Sequence, residues 1–335
     1  MHNVAVIGCG YWGPNLIRNF QNIKECCVKT VCDKNLERLK YIKSIHNDIE
    51  VCIDYDEVLR DDTIGSIIIA TPVRFHYQMG IKALNYGKNV FIEKPLATSV
   101  LECQDLIEKA ENENLVLVVG HTFIYSQAVI KIKEIISSGE LGDIQYIGAR
   151  RLNLGLFQTD INVAWDLAPH DISIILYTLG KMPISVNCQG KAHIHPKIED
   201  VTNMTLNYEN GGFACIQSSW LNPNKTREMT FVGTKKMLVF NDLEPLEKIK
   251  IYDKRVECPN YYDSYEEFHY SYHYGDMYSP YLNQTEPLRI EAQKFVECVQ
   301  YRKESESSGR DGLNVVRVLE AASKSLKEGG GRVLI

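Results

Sequence analysis

The stretch VAVIGCGYWGPNLI, residues 4–17, decides the fold of the chain. A short apolar strand runs straight into a glycine-rich turn, and apolar residues at helical spacing follow. In a dinucleotide-binding fold, Gly8 permits the tight turn, Gly10 lets the backbone approach a pyrophosphate, and Gly13 lets the helix pack on the strand. The helix N-terminus supplies N–H groups for the phosphates. The stretch therefore predicts the first strand, loop and helix of a dinucleotide-binding domain.

An acidic residue follows the second predicted strand. This strand runs from Val28 to Cys32 and stops at Asp33, about 20 residues beyond Gly13. At that spacing a carboxylate can hydrogen-bond the ribose hydroxyls of NAD, and it would repel the 2′-phosphate of NADP. A plain turn residue is the alternative. We expect NAD as the cofactor.

Strand and helix patterns then alternate. A buried strand from Ser66 to Ala70 ends in Thr71-Pro72, and a predicted helix from Phe75 to Tyr86 carries His76. Regular alternation predicts a doubly wound parallel sheet. Because ligands bind at the carboxyl ends of such strands, Thr71 and Pro72 should lie beside the dinucleotide. His76 either contacts the cofactor or faces solvent early in its helix.

The stretch VFIEKPL, residues 90–96, is the next strand of this sheet. Its apolar residues predict burial, and it stops abruptly at Glu93, Lys94 and Pro95. A lysine at a carboxyl edge is placed for chemistry if a redox cofactor lies nearby. A solvated surface lysine is the alternative.

The pattern changes after Gly120-His121. One helix is followed by strand-like runs between Ile144 and Asn241, with Gly211-Gly212 as a hairpin turn between two of them. This predicts an antiparallel sheet with one face covered and one face free for subunit packing. The tyrosine-rich segment 261–281 is predicted to be loop. We expect an α/β protein with an NAD-binding Rossmann domain at 1–121 and a substrate-binding and oligomerisation domain at 122–335.

A second group of candidate residues lies in WDLAPHD, residues 165–171, within a helix predicted from Val163 to Leu179. Asp166 could cap this helix, with Pro169 tolerated in its first turn. Asp166 and His170 are four residues apart, so they share one helix face, where the carboxylate can orient the imidazole. A structural cap and a satisfied histidine are the alternative.

The composition limits the classes of function. A chain of 335 residues suggests about two domains, and 44% hydrophobic residues indicate a globular protein. A net charge of -6 gives no reason to expect a nucleic-acid partner. There is no apolar run of transmembrane length and no signal segment, so no membrane association is expected. Ten scattered cysteines fit reduced thiols in a cytoplasm better than disulfides or a zinc site, and no metal is expected.

These patterns together resemble the glucose–fructose oxidoreductase/inositol dehydrogenase/MocA (Gfo/Idh/MocA) family over nearly the whole chain. The matching segments are the glycine loop, Thr71-Pro72 with His76, Glu93-Lys94-Pro95, Gly120-His121, Gly139-x-x-Gly142, Asp166-x-x-x-His170 and Glu286-Pro287-Leu288. The resemblance implies a Rossmann domain and an α/β domain with a large open antiparallel sheet, through which subunits form homodimers or homotetramers. It also implies hydride exchange between NAD and a sugar or polyol hydroxyl.

The resemblance assigns candidate roles to individual residues. Lys94, Asp166 and His170 would form the catalytic group: His170 would take the hydroxyl proton while Lys94 hydrogen-bonds the same oxygen. These two roles could be exchanged, because the sequence fixes no geometry. The residues expected to bind the cofactor are Gly8, Gly10, Tyr11, Trp12, Gly13, Asp33, Thr71, Pro72, His76, Glu93 and Lys94.

The expected substrate is a nucleotide sugar. Residues 10–20 and 165–171 are similar to the nucleotide-sugar branch of the family, most of all to UDP-N-acetylglucosamine 3-dehydrogenases, which make a 3-keto sugar for a partner aminotransferase. A diphosphate attracts cations, so Arg150, Arg151 and Arg227, with Asp171, are candidate substrate residues, although ordinary surface charge is the alternative for the arginines.

Two other functions stay open. One is a dehydrogenase or ketoreductase for another sugar: a UDP-N-acetylglucosaminuronate, a deoxy-keto sugar nucleotide or a free polyol. The other is a non-catalytic sugar or NAD sensor on the same fold. The presence of Lys94, Asp166 and His170 together argues against the sensor, because binding alone does not need them.

Overall fold

The computed structural model describes residues 1–257 and 270–335. The chain divides into two compact units. The first comprises Met1–Ser126 and Thr285–Glu320, and the second comprises Gln127–Gln284 and Ala321–Ile335. In the described parts of the chain, no helix is long and apolar enough to cross a membrane.

The elements follow one another in alternation and then as a run of strands. Up to residue 120 they are β1 (His2–Ile7), α1 (Gly13–Gln21), β2 (Cys26–Cys32), α2 (Leu36–Ile45), β3 (Glu50–Cys52), α3 (Tyr55–Arg60), β4 (Ser66–Ile69), α4 (His76–Asn85), β5 (Asn89–Glu93), α5 (Val100–Asn112) and β6 (Leu117–Gly120). Beyond it they are α6 (Gln127–Ser137), β7 (Ile144–Leu154), α7 (Val163–Leu179), β8 (Ser185–Lys191), β9 (Val201–Asn207), β10 (Phe213–Ser219), β11 (Leu221–Gly233), β12 (Met237–Asn241), β13 (Ile249–Glu257), β14 (Ser271–Tyr278), α8 (Pro287–Tyr301), α9 (Gly309–Lys327) and β15 (Val333–Leu334).

The first unit contains the predicted doubly wound sheet. Its six strands have the order β3-β2-β1-β4-β5-β6, and every neighbouring pair is parallel. The strand order reverses between β1 and β4, which leaves a crevice beyond their carboxyl ends. Gly8 directly follows β1, and Thr71 stands two residues after the end of β4. The prediction of a Rossmann-type sheet is confirmed.

A helix from the far end of the sequence completes this core. Phe20 of α1, Phe91 of β5 and Phe295 of α8 are fully buried, and their rings meet edge to face with centroids 5.8–6.0 Å apart. Such aromatic contacts stabilise a core beyond simple burial. Helix α8 therefore lies in the first unit, together with the N-terminal residues that were predicted to form the Rossmann domain.

The second unit is built on a nine-stranded sheet. Its order is β14-β13-β12-β11-β7-β10-β9-β8-β15. Strands β7 and β10 pair in parallel, and the other pairs are antiparallel, so the predicted antiparallel sheet is confirmed as a mixed, mostly antiparallel one. The predicted hairpin joins β9 to β10, and Gly211 has the positive φ of 79° that such a turn needs.

The two faces of this sheet differ. Helix α7 packs on β7, β9 and β10, where Ile147, Ala149 and Ile216 are buried. Alternation places the intervening residues on the other face, here called the open face. One row across the open face consists of Asn207, Phe213, Tyr146, Val232, Met237 and Tyr252. The row is mostly apolar, and the rings of Tyr146 and Phe213 are 5.2 Å apart.

The tyrosine-rich segment corrects a prediction. Residues 271–278 form strand β14, which pairs with β13, whereas the sequence predicted loop throughout 261–281. The strand is an edge strand with nearly every residue exposed, so it lacks the alternation of buried and exposed residues that identifies strands from sequence. Residues 261–269 of the predicted loop lie outside the described residues.

Candidate active site

The glycine loop has the geometry of a phosphate cradle. Gly8 has φ of 91°, and a Cβ at this position would lie 2.7 Å from the carbonyl oxygen of Ala70. A Cβ at Gly13 would lie 2.3 Å from the oxygen of Gly8. Helix α1 begins at Gly13, with Pro14 in its first turn, and Trp12 at the N-cap makes no side-chain hydrogen bond to the helix. The loop and the helix N-terminus thus offer backbone groups to an anion.

Asp33 is held against this loop by hydrogen bonds. Its Oδ2 accepts from the backbone N of Cys9 at 2.8 Å and from Cys9 Sγ at 3.4 Å, and its Oδ1 accepts from the backbone N of Asn35 at 2.8 Å. Burial, followed by the Asp33 charge, raises the pKa of the Cys9 thiol to about 12. Oδ1 has a second lone pair that can accept from a ribose hydroxyl.

Arg38 is a cation beside the same carboxylate. Its Nη1 lies 4.0 Å from Asp33 Oδ2, and it would lie 3.1 Å from a Cβ built on Gly10. The side chain is half exposed. A guanidinium over a glycine loop can stack on an aromatic base or pair with a phosphate. The Asp33 carboxylate beside it repels a phosphate and therefore favours stacking on the base.

His76 joins two loops of the sheet edge. Its Nε2 lies 2.7 Å from the carbonyl oxygen of Thr71, and its Nδ1 lies 2.8 Å from that of Pro95. Its exposed fraction is 1%, which excludes the solvent-facing alternative. Burial lowers the pKa of the imidazole. His76 therefore ties the Thr71 loop to the end of β5, while its contact with a cofactor stays a prediction.

Glu93 and Lys94 stand where β5 ends. Glu93 pairs in register with Gly120 of β6, and Trp12 of the glycine loop favours its ionised form. Burial raises the pKa of the Glu93 carboxyl to about 7, against the opposing effects of Lys94 and Trp12. Glu93 keeps some exposed surface as a residue, but its Oε1 atom is shielded from solvent. Lys94 follows it, partly buried, and the Lys94–Pro95 peptide bond is cis.

Helix α7 carries Asp166 and His170 in the second unit. The N-cap is Asn162, whose Oδ1 accepts from the backbone N of Trp165 at 3.1 Å. The prediction that Asp166 caps the helix is therefore wrong: it lies in the first turn, where its charge also suits the helix dipole. Pro169 lies beyond the first turn and is buried, so that packing must offset the backbone hydrogen bond that proline removes.

The Asp166 carboxylate has a defined partner in the same unit. Its Oδ2 accepts from the indole Nε1 of Trp220 at 3.0 Å. The indole is 1% exposed, and the ring of Phe157 packs 5.4 Å from it. His170, one helical turn further on, is partly buried.

The candidate substrate arginines lie in three different settings. Arg151 is buried and makes a bidentate pair with Asp171, with distances of 3.0 and 2.8 Å to the two carboxylate oxygens. Arg150 points to the open face and pairs with Glu228. Arg227 lies opposite Arg151 across the strands, and its guanidinium is 3.5 Å from Asp242. Their contacts with a substrate stay predictions.

Comparison with known proteins identifies the family. Residues 2–121 match the model of the oxidoreductase family with an NAD-binding Rossmann fold, and residues 129–239 match the GFO/IDH/MocA C-terminal domain. The chain belongs to the Gfo/Idh/MocA oxidoreductase family.

Relatives and solved structures agree with this family. The scyllo-inositol 2-dehydrogenase (NAD(+)) of Bacillus subtilis is 25% identical over 97% of this chain and 94% of its own length. GenD2 from gentamicin A biosynthesis, solved with NAD, has a TM-score of 0.83 at 20% identity, covering 100% of this chain and 96% of its own. The UDP-N-acetylglucosamine 3-dehydrogenase GnnA of Acidithiobacillus ferrooxidans has a TM-score of 0.81 at 20% identity, covering 99% and 100%. At these identities the two structures show the fold.

The residues of this Gfo/Idh/MocA oxidoreductase fit its cofactor NAD. The cradle at Gly8 and Gly13 admits no Cβ, and the carboxylate of Asp33 is fixed beside it with acceptor capacity to spare. Bound NAD supplies the hydride acceptor. The protein would hold its phosphates at the α1 N-terminus and its ribose at Asp33.

Several polar residues of this family member escaped the sequence analysis. Arg38 lies in the first turn of α2, and Trp220 is 54 positions from its partner Asp166. Glu291 had a detectable signal: it occupies the apolar stripe of α8 between Leu288 and Phe295. An acid within a buried stripe indicates a special polar partner, since charged residues are seldom buried otherwise.

Proposed function

We propose that this protein uses NAD to oxidise a secondary hydroxyl of a sugar nucleotide, namely carbon 3 of UDP-N-acetylglucosamine. The observation that carries the proposal is the pairing of an NAD-type Rossmann domain with Asp166 and His170 on one helix, Asp166 being anchored by Trp220. The likeness of the fold to GnnA, a UDP-N-acetylglucosamine 3-dehydrogenase, supports this choice of sugar.

In this proposal each residue has a separate task. His170 takes the proton from the hydroxyl, and Asp166 fixes the orientation of its imidazole. Lys94 donates a hydrogen bond to the hydroxyl oxygen and stabilises the negative charge that develops there. The exchange of roles between Lys94 and His170 remains an outcome that the variants below distinguish.

The three candidate substrate arginines have different tasks in this proposal. Arg227 has a side chain that is 37% exposed, and its contact to Asp242 is long at 3.5 Å, so it can turn toward a diphosphate. Arg151 is committed to Asp171, the residue next to His170, and is better suited to fix α7. Arg150 lies on the open face, where we propose that subunits of a homodimer or homotetramer meet.

The product sets the conditions of the test. Oxidation of a hydroxyl to a ketone next to an N-acetyl group is unfavourable at neutral pH. NADH would therefore not accumulate unless a further step consumes the keto sugar. A partner aminotransferase would consume the keto sugar by converting the ketone to an amine. The assay should therefore contain a ketone trap or such an aminotransferase, and the position of the new amine should be read by NMR.

A second candidate function is the oxidation of a free polyol. The 25% identity to the inositol dehydrogenase over nearly the whole chain favours it. A substrate panel decides: UDP-N-acetylglucosamine, its uronate, a deoxy-keto sugar nucleotide with NADH, and scyllo-inositol. Turnover of inositol alone would replace the first proposal, and binding without turnover of any sugar would favour a sensor.

Variants test the roles. Lys94→Ala and His170→Ala should each lower turnover by about 10²–10⁴, as the loss of acid–base help does. The matched controls are Lys131→Ala and His195→Ala, which remove exposed or half-exposed side chains of the same types. Activity should return more readily at high pH in the variant that has lost the base, because hydroxide can then take the hydroxyl proton, and this separates the two roles. Wild-type turnover in both catalytic variants would refute the assignment.

A further inference from the structure

A group of buried polar atoms lies at the end of β5 and includes Glu93, one of the residues expected to bind the cofactor. Glu93 pairs in register with Gly120, and a Cβ at Gly120 would touch Glu93 Oε2 at 3.0 Å. His121, the next residue, is 1% exposed. Thr122 then donates from its Oγ1 to Glu291 Oε2 at 2.8 Å, and Glu291 of α8 is fully buried. Two carboxyls and one imidazole are therefore buried near the ends of β5 and β6, and the charge of Glu93 acts on Glu291.

Four atoms in this group lack a partner among the described residues. They are Glu93 Oε1, Glu291 Oε1 and both ring nitrogens of His121, and all four are shielded from solvent. Buried polar atoms are normally hydrogen-bonded, to one another or to ordered water. These four atoms therefore need a protonation state in which donors and acceptors balance.

A balance of donors and acceptors among these atoms requires one protonated carboxyl. A neutral imidazole has one donor and one acceptor nitrogen, and an ionised carboxylate only accepts. With both carboxyls ionised, the four atoms would present three acceptors and one donor. With one carboxyl protonated they present two of each. Glu291 is the better holder of that proton, because it is fully buried, whereas the cation Lys94 acts on Glu93 and favours its ionised form.

We propose that Glu291 is a protonated, neutral carboxylic acid at neutral pH, and that its O–H group, directly or through water, anchors the carboxylate of Glu93 and the ring of His121. Glu291 is thus a positioning residue: through Glu93 it fixes the end of β5 that carries Lys94. Its effect on turnover rests on the proposed role of Lys94, but its protonation does not.

The electrostatic setting agrees. Burial, and then the charge of Glu93, raise the pKa of Glu291 well above its usual range. Burial lowers the pKa of His121 to about 3, so the imidazole is neutral and supplies no second cation. Tyr125 also faces Glu291, and burial raises the pKa of its phenol, which stays neutral as well. Lys94 is the cation that acts on Glu93 and His121, and one carboxylate balances it.

The direct test measures the proton on Glu291 without any sugar. Infrared spectra of the chain with NAD bound, titrated with base, should show a protonated carboxyl that persists above the pKa of Glu93, which lies at about 7. Glu291→Gln should abolish this band, whereas Glu297→Gln, the same change on a less buried glutamate of the same helix, should keep it. Glu93→Gln should let Glu291 ionise at lower pH, because the repelling charge is gone. Absence of the band in the wild type would overturn the proposal.

Turnover supplies a second readout that a purely structural role would not move. The amide of Gln mimics a neutral acid, so Glu291→Gln should keep turnover within about threefold and extend activity to more alkaline pH by about one unit, since it has no proton to lose. Glu291→Leu should lower kcat by about tenfold or more without a matching change in KM. Equal losses in the Gln and Leu variants would contradict the proposal.

A further variant tests the proposal if the Glu291→Gln protein does not fold. If Glu291→Gln unfolds, Thr122→Val removes only the donor to Glu291 Oε2. That donor favours the ionised acid, so the carboxyl band should persist to higher pH than in the wild type. A band that disappears at the same or lower pH would overturn the proposal. Because these spectra need no substrate, they stand even if the proposed sugar is wrong.

Discussion

The carboxylate of Asp166 accepts a hydrogen bond from the indole nitrogen of Trp220 at 3.0 Å, and the indole is almost completely buried. Trp220→Phe keeps most of the buried ring and removes the donor. We expect a loss of about 1–3 kcal/mol in the free energy of unfolding, measured with urea. Turnover should fall by at least about tenfold, because ~1.4 kcal/mol of lost orientation is one factor of ten.

The control for this change is the neighbouring tryptophan. Trp165 donates from its Nε1 to Ser323 Oγ at 2.8 Å, so Trp165→Phe also removes one indole hydrogen bond. It should lose comparable stability but retain more of the turnover. Equal turnover losses in the two variants would show that Trp220 acts through general packing and not through Asp166.

Cofactor preference should depend on Asp33 and Arg38 together. Asp33→Ala should narrow the preference for NAD over NADP by about 1–3 kcal/mol, because a ribose contact and a repulsive charge are both lost. The Arg38 guanidinium lies 4.0 Å from the carboxylate and becomes available to the 2′-phosphate. Dissociation constants measured by calorimetry test this. The double variant with Arg38→Ala should lose the gain in NADP affinity, whereas Arg60→Ala, on α3, should not.

Stability should fall as the pH rises from about 5 to about 8. The folded state raises the pKa of Glu93 from 4.5 to about 7, so the stabilisation is complete below the lower value and lost through the higher one. Glu291 acts in the same direction. Relative to Glu93→Gln, the wild type should lose on the order of 1–3 kcal/mol over this range in urea unfolding.

The buried histidines act with the opposite sign. His76 and His121 have lowered pKa values in the folded state, so their contribution to stability is lost as the pH falls below about 6.5. The wild type and the Glu93→Gln variant both contain these histidines. The difference between their free energies of unfolding therefore reports the Glu93 carboxyl alone. A difference that grows toward acid pH would contradict the assignment.

Two adjacent arginines should differ sharply in their effect on stability. Arg151→Ala leaves Asp171 as a buried charge without its bidentate partner and should cost about 3–5 kcal/mol. Arg150→Ala removes a half-exposed pair with Glu228 and should cost about 0–1 kcal/mol. Urea unfolding of both variants measures this. Replacing Arg151 by Met and Asp171 by Leu together should cost less than Arg151→Met alone.

The open face should be buried between subunits. Its apolar row includes Phe213, which is 41% exposed in the single chain, and Met237. The pair of changes Phe213→Glu and Met237→Glu would place charges inside such a contact, so light scattering should show monomers where the wild type forms dimers or tetramers. Leu246→Glu, at an exposed position away from this row, should leave the assembly intact. A monomeric wild type would refute the prediction.

The sequence predicted those elements whose local pattern is strong. The helix at 163–179 matches α7 residue for residue, because an apolar run and an αL glycine at its end define it. Strand β14 was missed, because an exposed edge strand has no buried face to give it a period. The identity of the α7 cap was also missed: Asn162 and Asp166 are both good caps, and only the backbone decides between them.

The sequence allowed the residues of the candidate site to be named, but it did not predict which side chains they contact. The spacing of the glycines and Asp33 was enough to predict NAD as the cofactor. The match to an NAD-binding Rossmann family confirmed this prediction. Partners distant in sequence, such as Trp220 for Asp166 or Glu291 for Thr122, follow from tertiary packing alone. The catalytic and substrate residues stay predictions until the variants are measured.

The position of α8 in the first unit has a consequence for the order of events on the ribosome. Phe295, which meets Phe20 and Phe91 in the core, is synthesised roughly 170 residues after Ser126, and at ~5–20 residues per second this takes on the order of ten seconds or more. During that interval the nascent Rossmann sheet exposes the apolar surface that α8 will cover. We therefore expect truncation before residue 295 to leave this apolar surface uncovered, which favours aggregation.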